Sequence, residues 1–272
     1  MSGNRAAGFV PGEPLLSADD PHPVEVLRPQ GRSVFVLTCE HAGRLLPRRL
    51  GSLGLAENEL QRHIAWDIGA AAVATRLAEA LDACLFLQRY SRLVADCNRA
   101  THADDFITAL SEATRVPGNH SVTREEVDAR THEIYHPYHS AIREALDGRD
   151  RVQCKTVLVS VHSCTPVFHG EHRPWHVGVL YEHDARYATA LLDVMNDAAH
   201  GGGDILVGDN QPYRLDSRRD YAVPVHGQAR GYLHVELEIR QDLIEDAQGQ
   251  AQWAERLARI LPLALQRVVE DE

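Results

Sequence analysis

Two stretches of the chain are apolar runs that end in a histidine. One is Val34-Phe35-Val36-Leu37-Thr38-Cys39-Glu40-His41; the other is Thr156-Val157-Leu158-Val159-Ser160-Val161-His162-Ser163. Runs of this kind, rich in β-branched residues, are strands buried on both faces of a parallel sheet. In open α/β sheets, ligands bind outside the carboxyl ends of the strands. The pattern therefore commits the chain to an α/β architecture. It also delivers two imidazoles from different strands to one sheet edge, which points to a metal site.

The rest of the sequence alternates strand and helix patterns. Residues 1–32 carry Gly, Pro and acidic residues without a clear period and read as an irregular arm; residues 33–272 read as a single catalytic domain, since no linker divides them. Strands are expected at 33–39, 83–88, 156–161, 175–181, 205–207 and 233–239. Residues 90–99 read as a short strand running into a polar loop, and 100–122 as loop. A helix is expected over 67–81, where Ala70, Val73, Ala74, Leu77, Ala80 and Leu81 form an apolar face of 3.6-residue period. Thr123-Arg124-Glu125-Glu126 has capping-box form and opens a helical segment to 147, which Pro137 should kink or divide into two helices. Helices at 186–198 and about 248–269, and a flexible Gly201-Gly202-Gly203 turn, complete the chain. The fold class that results is α/β, a three-layer arrangement with a mixed, mostly parallel sheet flanked by helices.

Composition narrows the function. The 272 residues carry a formal charge of −11 and form no basic tract, which argues against nucleic acid as a partner. No apolar stretch approaches the roughly 20 residues of a membrane span, and the N-terminus lacks a signal-peptide h-region. Cys39, Cys84, Cys97, Cys154 and Cys164 are odd in number, scattered and without a C-x-x-C pair. That fits reduced thiols and a cytoplasmic location.

A catalytic zinc site takes three N or O ligands and keeps one open position. His41 and His162 supply two, and a carboxylate is the natural third. Asp67 follows Trp66 at the expected start of the 67–81 helix, where a βα connection returns it to the sheet edge. Glu40 competes with it. Successive strand side chains face opposite ways, so an extended Glu40-His41 pair could not share an ion. Taken singly, each residue has an ordinary alternative: a hydrogen-bonded surface histidine, or an aspartate capping a helix.

Several segments, in order and spanning about residues 33 to 245, together resemble the N-formylglutamate amidohydrolase family. They are Cys39-Glu40-His41-Ala42-Gly43, Trp66-Asp67-Ile68-Gly69-Ala70, Ser91 to Arg99, Ser160 to Val167, Val177 to Tyr181, Asp209 to Tyr213 and Glu238 to Leu243. The resemblance implies a zinc-exopeptidase-like α/β fold and amide-bond hydrolysis. A more distant likeness to zinc amidases of cell-wall peptides implies His41, Asp67 and His162 as metal ligands and Glu238 as the catalytic carboxylate. It favours Asp67 over Glu40, although those amidases use the longer Glu where this chain has Asp67.

The chemistry so implied is hydrolysis of an N-acyl (N-formyl) amino acid such as N-formylglutamate, with zinc as cofactor and Glu238 as general base. The donor set also suits manganese, iron or cobalt. Glu236, two residues earlier and on the same face, is the alternative base. The substrate carries carboxylates, and arginine pairs with carboxylate in a bidentate fork. Arg99 is the first candidate, then Arg92 and Arg240, with Asn98 and Asn210 as neutral partners. His226, His136 and His139 are candidates for oxyanion stabilisation; helix packing or surface exposure is the expected role of the last two. The competing readings are an amidase or peptidase acting on another N-blocked amino acid or small peptide, and a catalytically inert relative that keeps the metal.

Overall fold

The computed structural model describes residue 9, residues 12–197, residue 199 and residues 204–270. The Gly201–Gly203 turn, Ala198 and most of the first eleven residues lie outside the described residues.

The core is a seven-stranded sheet. Its strands are β1 (Val24–Leu27), β2 (Phe35–Cys39), β3 (Cys84–Gln88), β4 (Val157–Cys164), β5 (Val177–Leu180), β6 (Val207–Asp209) and β7 (Leu233–Arg240). Their spatial order is β1-β3-β2-β4-β7-β5-β6. β2 is parallel to β3 and β4, β4 to β7, and β5 to β6; β1–β3 and β7–β5 are antiparallel. The sheet is thus mixed and mostly parallel.

Helices α1 (Ala70–Leu81), α4 (Arg186–Asn196) and α5 (Ala247–Glu270) cover one face. They pack on Leu37, Val159, Val161, Leu237 and Ile239 in the larger core cluster. Each fully buried side chain of this size contributes roughly 1.5–3 kcal/mol of transfer free energy. The opposite face is split. Near the amino ends of the strands, Val36, Phe86 and Leu158 pack on Tyr138, Ile142 and Leu146 of α3 (His136–Arg151). Toward the carboxyl ends the same face turns polar, with Thr38, Ser160, His162, Glu236 and Glu238, all buried. This is the part of the sheet that positions the site.

Three local expectations are corrected and a fourth takes a specific form. The irregular arm contains an edge strand, β1, because Val24 to Leu27 pair with Leu85 to Gln88. The strand expected near residues 90–94 is a series of turns carrying one isolated bridge, Leu45 to Tyr90. The loop at 100–122 holds a small ladder, Leu110–Ser111 against Thr114–Arg115. The kink at Pro137 is a π-helical turn over Thr131–Tyr135, between α2 (Arg124–Arg130) and α3. A proline without an N–H leaves a carbonyl one turn back unpaired, and a widened turn accommodates that. The cap on α2 forms as expected, Thr123 Oγ accepting from Glu126 N at 3.3 Å. Among the described residues no helix is long and apolar enough to cross a membrane.

Candidate active site

β2 ends at Cys39, and the chain turns at Glu40 and His41. Glu40 keeps the phase of Val36 and Thr38 and so faces the polar side of the sheet, toward β4. His41, one residue on, is brought over the sheet edge by the turn. β4 runs longer than its apolar run suggested and carries His162 inside the strand.

Asp67 reaches the same point by a different route. Its backbone N–H donates to the His41 carbonyl at 2.9 Å, which ties the approach to α1 onto the end of β2. The helix itself begins only at Ala70, after Gly69 with φ +81°. A side chain at Gly69 would collide with the Ile244 carbonyl, and the positive φ is one that glycine adopts freely. The Asp67 side chain therefore does not cap the helix. Its Oδ2 accepts instead from Ser163 N at 3.2 Å and lies 2.7 Å from His162 Nδ1.

Three buried ligand atoms converge. His41 Nδ1 is 3.1 Å from His162 Nδ1 and 3.4 Å from Asp67 Oδ2. Ligands 2.0–2.2 Å from a tetrahedral ion stand roughly 3.3 Å apart, so the spacing suits a metal. The outward nitrogens each face a carboxylate. His41 Nε2 is 2.7 Å from Asp96 Oδ1, and His162 Nε2 is 2.9 Å from Glu40 Oε2. In a neutral ring that donates Nε2–H to its carboxylate, Nδ1 presents a lone pair inward. This is the arrangement that orients metal-bound histidines and raises their basicity. A buried His-Asp-His group with three converging acceptors can hold a metal ion.

The carboxylates around this point favour positive charge on it. Burial opposes charge on His162, yet Glu236, Asp67 and Glu40 around it hold its pKa well above the ordinary value. Burial would likewise raise Glu40, but the His162 and Ser160 hydrogen bonds bring it down to about 2. Asp67 and Asp96 are also held low: burial opposes this, and the charge of His41 and, for Asp96, of Arg92 and Arg99 overcomes it. These carboxylates stay ionised and place a demand for positive charge at the point where the ligands meet.

The three ligand atoms open onto a cavity of about 370 Å³ whose wall also holds Glu236 and Glu238. Parallel pairing of β4 and β7 sets Glu238 opposite His162 and Glu236 opposite Ser160. Glu236 Oε2 accepts from Asn98 Nδ2 at 3.1 Å. Glu238 Oε2 is buried without a hydrogen-bond partner. Burial, with the charges of Asp67 and Glu236 alongside, pushes the Glu238 carboxyl up to about 8. Rather than a solvated group on a half-exposed strand, Glu238 is 7% exposed.

The expected substrate contacts divide. Arg92, Asn98 and Arg99 line the cavity, but Arg99 donates to Asp105, Asp220 and the Asn98 carbonyl, and Arg92 to Asp96. Arg240, Asn210 and His226 do not line it, and each has another task. Arg240 pairs with Asp242 and reaches the carbonyls of Arg173 and Pro174. Asn210, at φ +49°, accepts from Tyr181 N. His226 is buried against His139, 3.0 Å between ring nitrogens, and desolvation lowers it to about 4. His136 is exposed on α3. Two roles were not foreseen: Asp96 behind His41, and Glu40 behind His162 rather than beside it on the ion. The phase shared by Val36, Thr38 and Glu40 was the available signal for the second.

A buried His-Asp-His group able to hold a metal ion and two buried glutamates lie together at the carboxyl edge of a mostly parallel sheet. The chain matches the N-formylglutamate amidohydrolase family over residues 33–245. It belongs to that family and is a hydrolase acting on amide bonds. It is similar to a solved gene product of Agrobacterium tumefaciens, Atu2144, at 35% identity and a TM-score of 0.89, covering 94% of this chain and 99% of that one. It shares its fold with an N-formylglutamate amidohydrolase from Ralstonia eutropha JMP134, at 19% identity and a TM-score of 0.64, over 93% of this chain and 100% of that one. No curated protein sequence matches the chain.

Proposed function

We propose that the chain is a zinc-dependent amidohydrolase that cleaves the amide of an N-acyl amino acid, N-formylglutamate being the first candidate. The observation that carries this reading is the meeting of His41 Nδ1, Asp67 Oδ2 and His162 Nδ1, all within 4.8 Å of one another, on the wall of a cavity shared with Glu238. Those three residues would hold the ion, with Asp96 and Glu40 keeping the imidazoles in the tautomer that ligation requires. Zinc is the first choice for a site of two imidazoles and a carboxylate with a further position open to the cavity. A zinc ion there would polarise the scissile carbonyl and lower the pKa of a water to near 7.

Glu238 is the general base. Its free Oε2 takes the proton of the attacking water and passes it to the leaving amine. Glu236, held by Asn98, is the less available carboxylate, and its charge raises the basicity of its neighbour. The reading also places the protein in the cytoplasm, because its five cysteines are free thiols.

The test is a screen of N-acyl amino acids on zinc-loaded protein. N-formyl-L-glutamate should be hydrolysed well above other substrates. A chelator should abolish turnover, and added zinc should restore it. Turnover indifferent to the chelator would overturn the metal reading, and preference for a blocked peptide would move the substrate class.

A further inference from the structure

The cavity is acidic at depth, and an N-acyl amino acid brings at least one carboxylate of its own. Its walls must therefore offer positive charge that is not already committed. Four arginines line it: Arg92, Arg99, Arg214 and Arg219. Arg92 is paired with Asp96 and Asp67, Arg99 with Asp105 and Asp220, and Arg219 with Asp105. Arg214 is exposed and, among the described residues, has no carboxylate at ion-pair distance.

Arg173 does not itself line the cavity and sits behind Tyr213. It is only 9% exposed, and it too lacks a carboxylate partner among the described residues. Its guanidinium carbon lies 4.6 Å from the ring centroids of both Phe168 and Tyr213, and both rings line the cavity. Its Nη1 reaches the Thr165 carbonyl at 3.4 Å, and its side chain also interacts with Tyr213 and Cys164. Its own carbonyl is held by Arg240 Nη1 at 3.3 Å, so the loop that carries it is pinned.

A buried cation without an anion is costly. Two aromatic faces offset part of that cost. A guanidinium stacked on both sides also keeps its donors in one plane, aimed outward from its edge, which is the geometry that recognises a carboxylate.

The geometry points to Arg214 as the group that takes a carboxylate of the substrate's amino-acid moiety, with Arg173 holding the Tyr213 ring beside it. This rests on the amide-hydrolysis reading above and assigns the recognition that Arg99 and Arg92, with their donors committed, are poorly placed to supply. The subsite selects an acid over the matching amide, because the amide offers one acceptor and no charge to a cationic fork.

The test uses glutarate and its neutral isostere glutaramide as probes, titrated by calorimetry into zinc-loaded protein. The wild type should bind glutarate more tightly than glutaramide. Arg214→Gln, at an exposed position, should lower the ratio of the two affinities about tenfold, the loss expected for a hydrogen bond to a charged group. Arg173→Lys, which keeps the charge but loses the stacked fork, should lower it as well. An unchanged ratio in both variants, or no glutarate binding by the wild type, overturns the assignment. If the ratios fall as expected while no N-formyl amino acid is hydrolysed, the subsite stands and the substrate reading fails.

Discussion

Glu40→Gln separates a ligand from a residue that works through a ligand. Glu40 Oε2 accepts from Ser160 Oγ at 2.6 Å and stands 2.9 Å from His162 Nε2, while Oε1 accepts from Tyr138 OH at 3.0 Å. A glutamine fits this pattern atom for atom. Its carbonyl oxygen replaces Oε2, and its amide faces a hydroxyl that can turn to accept. The fold and the His162 tautomer are kept, and only the negative charge behind the imidazole is lost. Changes to such outer carboxylates cost roughly 10–100-fold in metal affinity, or about 1.4–2.7 kcal/mol at about 1.4 kcal/mol per tenfold. Competition with a chromophoric chelator at pH 7 measures this directly, and His162→Ala marks the scale of losing a ligand. Affinity within twofold of the wild type would show that the charge does not tune the ion. A loss as large as that of His162→Ala would make Glu40 itself the ligand and displace Asp67.

Other outcomes follow from the same geometry. Glu238→Gln should bind zinc as the wild type does and lose about 10²–10⁴-fold in kcat; if it turns over normally, the base is Glu236. In metal-free protein the folded Glu238 keeps a proton up to about 8 that the unfolded chain releases above its ordinary value of 4.5. The contribution of Glu238 to wild-type stability should therefore be fully present below 4.5 and be lost as pH climbs toward 8, by up to about 1.4 kcal/mol per pH unit. The difference in Tm between Glu238→Gln and wild type should widen over that range, and a constant difference refutes the raised pKa. Arg99→Ala removes the partner of buried Asp220, which is 8% exposed. It should cost about 3–5 kcal/mol in urea unfolding with little change in KM, and a large KM effect with unchanged stability would return Arg99 to the substrate.

Much of the fold was legible because strands and helices bury faces of distinct period. The runs ending in His41 and His162 and the apolar stripe of α1 announced themselves in that way. The convergence of His41, Asp67 and His162 was legible through position at strand ends and through family likeness. What failed was local. β1 has no apolar run of its own and becomes a strand by pairing with β3. The turns after Tyr90 carry apolar Leu93 and Val94 that bury into separate clusters without strand pairing. The carboxylate contacts of Arg99 were out of reach, since Asp220 lies 121 residues away and no periodicity links the two. A charge has no sequence signature for being already spent, so the substrate arginines were the weakest part of the reading.

The site and the core depend on one register. β4 and β7 pair so that Leu237 lies beside Val161 and Glu238 beside His162. The first pair points into the helices α1, α4 and α5, and the second into the cavity. Side chains alternate across a strand, so a slip of one residue would send Glu236 and Glu238 into an apolar core and Leu237 and Ile239 toward the ligands. The cost would be two buried carboxylates without partners, several kcal/mol each even after relaxation. Packing on the far side of the sheet is therefore what holds the reacting groups opposite one another. Core substitutions that keep the apolar phase, such as Val161→Ile, should shift Tm while leaving metal affinity intact.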